Sequence, residues 1–266
     1  MPKIQANGIN IHYEIHGEGE PVALIGGLGA DTFLWFRQTP ELAKQFQVIV
    51  FDNRGAGETD KPEEAYTIKM FADDTAGLLN ALNISRAHII GASLGGLVAQ
   101  EFALTYPEML NHLVLASTGF GGPHMVQPSF LSLIPMLLTM RRSGDPALDI
   151  RRSFALFTSK AWCAQHDDLV TQYVNWRVAH PQPPEAYKRQ QAAVKTFDGE
   201  DRIGQIKAPV LIIHGANDRV VPVKNASLLK SKLPSAQLII IPDAGHAAPI
   251  QYAEQFNAAV AQFLKG

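Results

Sequence analysis

Residues 88–96 read HIIGASLGG, with Ser93 flanked by Gly91 two places before it and Gly95 two places after. A hydroxyl between a β-prone run and an apolar helical run suits one of two tasks. The turn receives a phosphate at a helix N-terminus, or it lifts a nucleophile clear of a sheet. A dinucleotide turn wants G-x-G-x-x-G, and the middle glycine position here is Ser93. The earlier turn Gly26-Gly27-Leu28-Gly29 lacks that fingerprint as well, and no Gly-Lys-Ser/Thr follows a strand. The nucleophile reading makes a mechanical demand: side chains two before and two after the serine would collide with backbone, and glycine removes them. Gly91 and Gly95 meet it. The helix beginning behind Ser93 would also aim the Leu94 N–H where an oxyanion forms.

A serine hydroxyl attacks only when a base takes its proton, and the base needs an orienting carboxylate. The chain has nine histidines. In a parallel sheet the reactive crevice lies at the carboxyl ends of strands. That criterion selects His214, which ends a strand, and His246, in the longer loop PDAGH between the last strand and the last helix. His246 is the better placed of the two. Asp218 follows a strand in GANDRVVP and is the expected carboxylate. Asp243, three residues before His246, is more suited to shaping its own loop.

These residues require a scaffold that brings several strand ends together. IQANGINIHYEI is two alternating strands around Asn7-Gly8, a type I′ hairpin signal. Apolar β-prone runs follow at 22–25, 48–51, 87–90, 113–116, 209–213 and 237–241, with helical spacing over 68–82, 94–106, 224–233 and 251–264. Continuous apolar strands alternating with helices imply a mostly parallel sheet covered on both faces, with the antiparallel hairpin at one edge. Residues 121–204 break the rhythm. Helical patterns over 128–142, 147–158, 161–179 and 184–197, with no convincing strand, are read as a helical cap inserted into a core of 1–120 and 205–266.

The order Ser93, Asp218, His246, carried by GASLGG, GANDRVVP and DAGH together with DNRGAG at 52–57, resembles the α/β-hydrolase superfamily over essentially the whole chain. Within it the chain looks most like small capped esterases and enol-lactonases that use no cofactor. The resemblance implies acyl transfer to water: Ser93 attacks a carbonyl, His246 moves the proton, and Asp218 holds the imidazole. It also implies a second oxyanion donor, the N–H of Leu28. One departure stands out: Gly26 occupies the place where such loops usually carry a histidine. A serine rather than an aspartate nucleophile argues against the dehalogenase and epoxide hydrolase branches.

The expected substrate is a small, largely apolar ester or lactone. Thioester hydrolysis, carbon–carbon bond hydrolysis or perhydrolysis by the same residues is the enzymatic alternative, and a ligand-binding module with a slow triad is the other. Phe33, Trp35 and Phe36 either line the acyl pocket or pack in the core; Phe130, Ile134 and Leu137 either roof the pocket or form the inner face of a cap helix; Phe120 and Val220 are expected in the pocket. Asp52 and Arg54 are read as pinning their own loop, Arg141-Arg142 and Arg151-Arg152 as a solvated helix face, and Cys163 as a packed small residue.

Composition sets the outer bounds. The 266 residues are 46% hydrophobic and 18% charged, with a net charge of −2, a balance that offers no nucleic-acid or anionic-membrane surface. The single cysteine excludes an intrachain disulfide and any multi-cysteine metal cluster. The opening residues lack the apolar core of a signal peptide, and no apolar run approaches the ~20 residues of a membrane span. The expectation is a cytoplasmic protein needing no metal or organic cofactor, with its oligomeric state unread.

Overall fold

A computed structural model of the chain describes residues 2–129 and 143–266. Eight strands form one sheet: β1 Lys3–Ala6, β2 Ile9–His16, β3 Pro21–Ile25, β4 Gln47–Phe51, β5 Ala87–Ala92, β6 Leu110–Ala116, β7 Val210–Gly215 and β8 Gln237–Ile241. Their order across the sheet is β1-β2-β4-β3-β5-β6-β7-β8. The β1–β2 and β2–β4 pairings are antiparallel and every other pairing is parallel. Asn7 and Gly8 both have positive φ, 47° and 79°, as a type I′ turn requires.

The parallel strands are apolar on both faces because both faces are covered. In β3, Ala23 and Ile25 point into one core cluster while Val22 and Leu24 point into the other, and β4 divides Ile49 and Phe51 from Val48 and Val50 in the same way. Helices α1 Ile68–Ala81 and α2 Leu94–Thr105 contribute Phe71, Leu78, Val98 and Phe102 to the first cluster. Ala253–Leu264, the last helix of the chain, supplies Phe256 and Val260 to the second.

Between β6 and β7 the described helices are α3 Pro146–Phe157, α4 Lys160–Gln165, α5 Asp167–Ala179 and α6 Pro184–Thr196. The first three share a third cluster of Phe154, Trp162, Cys163, Val170 and Val174 with Ile250 from the other side of the chain, while α6 places Ala193 in the first cluster. Where the spacing suggests one helix over 161–179, the structure has two. The break is at His166 (φ −128°, ψ 44°), whose ring stacks on Trp162 at 4.3 Å. Asp167 and Asp168 then restart the helix with acidic residues in its first turn, where the helix dipole favours them. The expected helix over 128–142 lies outside the described residues except at its first two positions, which are not helical. No helix among the described residues is long and apolar enough to cross a membrane.

Strand order switches direction around β3: β4 lies on one side and β5 on the other, so the loops leaving β3 and β5 diverge and open a crevice between them. Both carry candidate site residues.

Candidate active site

Ser93 joins β5 to α2 with φ 54° and ψ −116°, a strained backbone for a residue with a side chain. Its surroundings enforce that conformation. A Cβ on Gly91 would run into the Gly95 carbonyl, and a Cβ on Gly95 would run into the Ile25 carbonyl at the end of β3. The Ser93 N–H donates to Ala116 O at 2.9 Å, and the Thr118 hydroxyl donates to Ser93 O at 2.8 Å. The turn is therefore bolted to the end of β6 as well.

His246 Nε2 lies 3.1 Å from Ser93 Oγ, and its Nδ1 lies 2.8 Å from Asp218 Oδ2. A carboxylate only accepts, so Nδ1 carries the proton and Nε2 is left to accept from the serine hydroxyl. Asp218 has no exposed side-chain surface. Burial pushes its carboxyl up, but the imidazoles of His246 and His214 outweigh burial and hold it well below the usual carboxylate range. Its Oδ1 also accepts the N–H groups of Val220 and Val221, each at 2.8 Å.

His214, the other histidine at a strand end, is fully buried. Its Nε2 faces two acceptors, Val221 O at 2.8 Å and Asp218 Oδ2 at 3.2 Å, so its N–H is shared between that carbonyl and the carboxylate oxygen that also faces His246. Asp243 is exposed. The His246 loop is held from two directions: Gln251 Oε1 accepts the Gly245 N–H at 2.8 Å, and the Phe157 carbonyl ending α3 accepts the Ala247 N–H at 2.8 Å.

Leu94 is the first residue of α2 and Leu28 lies in the loop after β3; among the described residues neither N–H has a hydrogen-bond acceptor. A Cβ on Gly27 would sit 3.5 Å from Ser93 Cβ, so this loop runs alongside the serine. Around Gly26, Ala30 Cβ and Leu34 Cδ2 would lie 3.4 and 3.6 Å from an added Cβ, and Asn53 Nδ2 donates to the Gly26 carbonyl at 3.0 Å.

The proposed pocket residues divide. Phe33 is half-buried and stacks between Phe36 and Trp176 at 4.9 and 4.5 Å. Val220 is half-buried in the Asp218 loop. Trp35 and Phe120 are buried: Trp35, ending the short 3-10 turn Thr32–Trp35, lies in the second core cluster, and Phe120 lies in the first beneath Lys232. Phe130, Ile134 and Leu137 lie outside the described residues, as do Arg141 and Arg142. Asp52 accepts from His12 Nδ1 at 2.8 Å and from the N–H groups of Thr32 and Glu58, each at 2.7 Å, while Arg54 pairs with Asp74 and Glu64. Two surface cavities, about 510 and 320 Å³, touch none of Ser93, Asp218 or His246. Sequence reasoning missed His214 as a partner of Asp218. It also missed the helical residues Trp176 and Gln190, whose core partners Asp31 and Gly29 lie more than a hundred positions away.

The model of the alpha/beta hydrolase fold matches residues 20–252. The chain is 34% identical over 265 residues to 2-hydroxy-6-oxononadienedioate/2-hydroxy-6-oxononatrienedioate hydrolase of Paraburkholderia xenovorans, covering 96% of this chain and 91% of that protein. It is 31% identical over 261 residues to RutD of Agrobacterium fabrum, named as a candidate carbamate hydrolase, covering 96% of this chain and 98% of that one. Among solved structures, the enol-lactonase from Burkholderia xenovorans LB400 superposes with a TM-score of 0.86 at 25% identity, each chain covered in full. With a family model spanning most of its length and relatives covering nearly all of it, the chain belongs to the α/β-hydrolase family.

Proposed function

We propose that the protein is a serine hydrolase that opens a carboxylic ester or lactone of a small, largely apolar molecule through an acyl-enzyme. The observation that carries this reading is the hydrogen-bonded series Ser93 Oγ, His246 Nε2, His246 Nδ1 and Asp218 Oδ2 at 3.1 and 2.8 Å. In it, His246 takes the Ser93 proton as Oγ attacks the carbonyl carbon. The resulting imidazolium faces the Asp218 carboxylate, which stabilises it without taking its proton. The N–H groups of Leu28 and Leu94 receive the oxyanion, and losing one such donor costs about 3 kcal/mol of barrier. His246 returns the proton to the leaving alkoxide, then activates water to release the acid. The described helices of residues 146–196 act as a cap over the strand ends, closing the site from above.

A second reading keeps the residues and changes the bond. The dienedioate hydrolase is named for a substrate with ketone, hydroxyl and carboxylate groups but no ester, so its hydrolysis breaks a carbon–carbon bond. A panel of p-nitrophenyl esters of increasing chain length, run beside simple lactones and a vinylogous diketo acid, separates the two. Ester or lactone turnover supports the first; turnover of the diketo acid alone supports the second. Labelling by a fluorophosphonate tests what both share. If folded wild-type protein does not label, or Ser93→Ala labels equally well, the serine hydrolase reading is wrong.

A further inference from the structure

Helix α6 buries one stripe, Ala186, Gln190 and Ala193, against the core. Two of the three are alanines, which let the helix approach closely. The third is a glutamine with no exposed surface. A buried amide is costly unless both its ends are bonded. Here Oε1 accepts the Gly29 N–H at 2.8 Å and Nε2 donates to the Arg54 carbonyl at 2.8 Å. One side chain from the helical insertion thus binds two backbone groups of the core, one after β3 and one after β4.

The bond to Gly29 falls at a decisive place. Of the three consecutive N–H groups in the loop after β3, that of Ala30 is taken by the Gly27 carbonyl at 3.1 Å and that of Gly29 by Gln190. The Leu28 N–H has no acceptor among the described residues, as is also true of Gly26 and Gly27 nearer the strand. Gly29 also has φ 66°, a backbone free to rotate when nothing holds it. Gly26 supplies no side chain to brace the loop from within.

We propose that Gln190 is the positioning residue of the oxyanion hole: by holding the Gly29 N–H and the Arg54 carbonyl together it fixes the loop after β3, so that Leu28 points its N–H at the oxyanion above Ser93. The bracing that Gly26 cannot give from inside the loop comes from the cap. This rests on the serine hydrolase reading above, and the test separates the two.

The test is time-resolved labelling of Ser93 by a small fluorophosphonate, yielding an affinity and a limiting rate for each variant. Gln190→Met keeps the volume and removes both hydrogen bonds. Its limiting rate is expected to fall about 10- to 100-fold with affinity within about threefold, because the lost contact acts on the transition state. Gln182→Met is the control, since Gln182 also ties the insertion to the core but ends on the Gly55 carbonyl. It is expected to label at close to the wild-type rate. Gln190→Glu serves if the methionine variant does not fold. As a neutral acid it reproduces both bonds, and as a carboxylate it repels the Arg54 carbonyl. Its rate relative to wild type is therefore expected to drop as pH rises. Equal losses in Gln182→Met and Gln190→Met, or a wild-type rate in Gln190→Met, overturn the assignment while leaving the hydrolase reading intact. A wild-type protein that does not label overturns both.

Discussion

Asp218 stays ionised in a site with no solvent contact because every atom facing its oxygens is a donor: two backbone N–H groups on Oδ1 and two imidazoles on Oδ2. Asp218→Asn replaces one oxygen with an NH2 group, which sets a donor against a donor or forces His246 into its other tautomer. The proposed chemistry then loses its base, and kcat is expected to fall by about 10³- to 10⁴-fold, measured on whichever ester or lactone proves active. The same carboxylate sets an acid limit on stability. Its folded-state proton affinity lies below the ordinary value of 3.8, so it contributes stability above that pH and loses it as pH falls below. Melting temperatures of wild type and Asp218→Asn should therefore converge on acidification below about pH 4. A gap that stays constant down to pH 3 would show that the wild-type carboxylate does not carry the difference.

At the scale of elements, the turn between β5 and α2 is a three-way junction. Gly91 faces the Gly95 carbonyl, and Gly95 faces the carbonyl of Ile25 on the neighbouring strand. Gly95→Ala cannot be absorbed by a flexible side chain, because its neighbours are backbone atoms. A loss of about 3 kcal/mol or more is expected, checked by denaturant unfolding of the variant beside wild type. This junction was legible in the sequence, since glycines at fixed offsets around a serine are local information. The loops holding Asp218 and His246 were legible for the same reason: each follows an apolar strand and is rich in turn-forming residues. What escaped is non-local or geometric. Gln190 looks like any polar helix residue, and its partner Gly29 is 161 positions away. Trp35 was ambiguous because a single 3-10 turn decides which way it faces. The break at His166 has no glycine or proline to announce it.

Across the whole molecule, the helices of 146–179 share a small apolar cluster with Ile250, Ala193 of α6 joins the first core cluster, and the helices of 146–196 reach the core through a few further defined contacts. Trp176 Nε1 and Arg177 Nη1 donate to Asp31 Oδ2 at 3.0 and 3.2 Å, Gln190 joins Gly29 and Arg54, and Phe157 holds Ala247. The strands β5 and β6, by contrast, are buried on both faces between paired neighbours. Opening energies should follow this difference. Amides of α3 to α6 are expected to exchange with deuterium at least tenfold faster than those of β5 and β6, as read by peptide-resolved mass spectrometry. Equal protection would mean that the insertion and the sheet open as one unit.

The placement of β7 and β8 bears on the chain while it is being made. They are the last two strands to be synthesised, and they enter the sheet beyond β6, with Asp218 and His246 in the loops that leave them. Ser93 emerges from the ribosome some 125 residues before Asp218 and 153 before His246. A nascent chain stopped anywhere in that interval holds the hydroxyl without the imidazole. Under the proposed chemistry such fragments are inert, and competence arrives only when the loop leaving β8 brings His246 to Ser93.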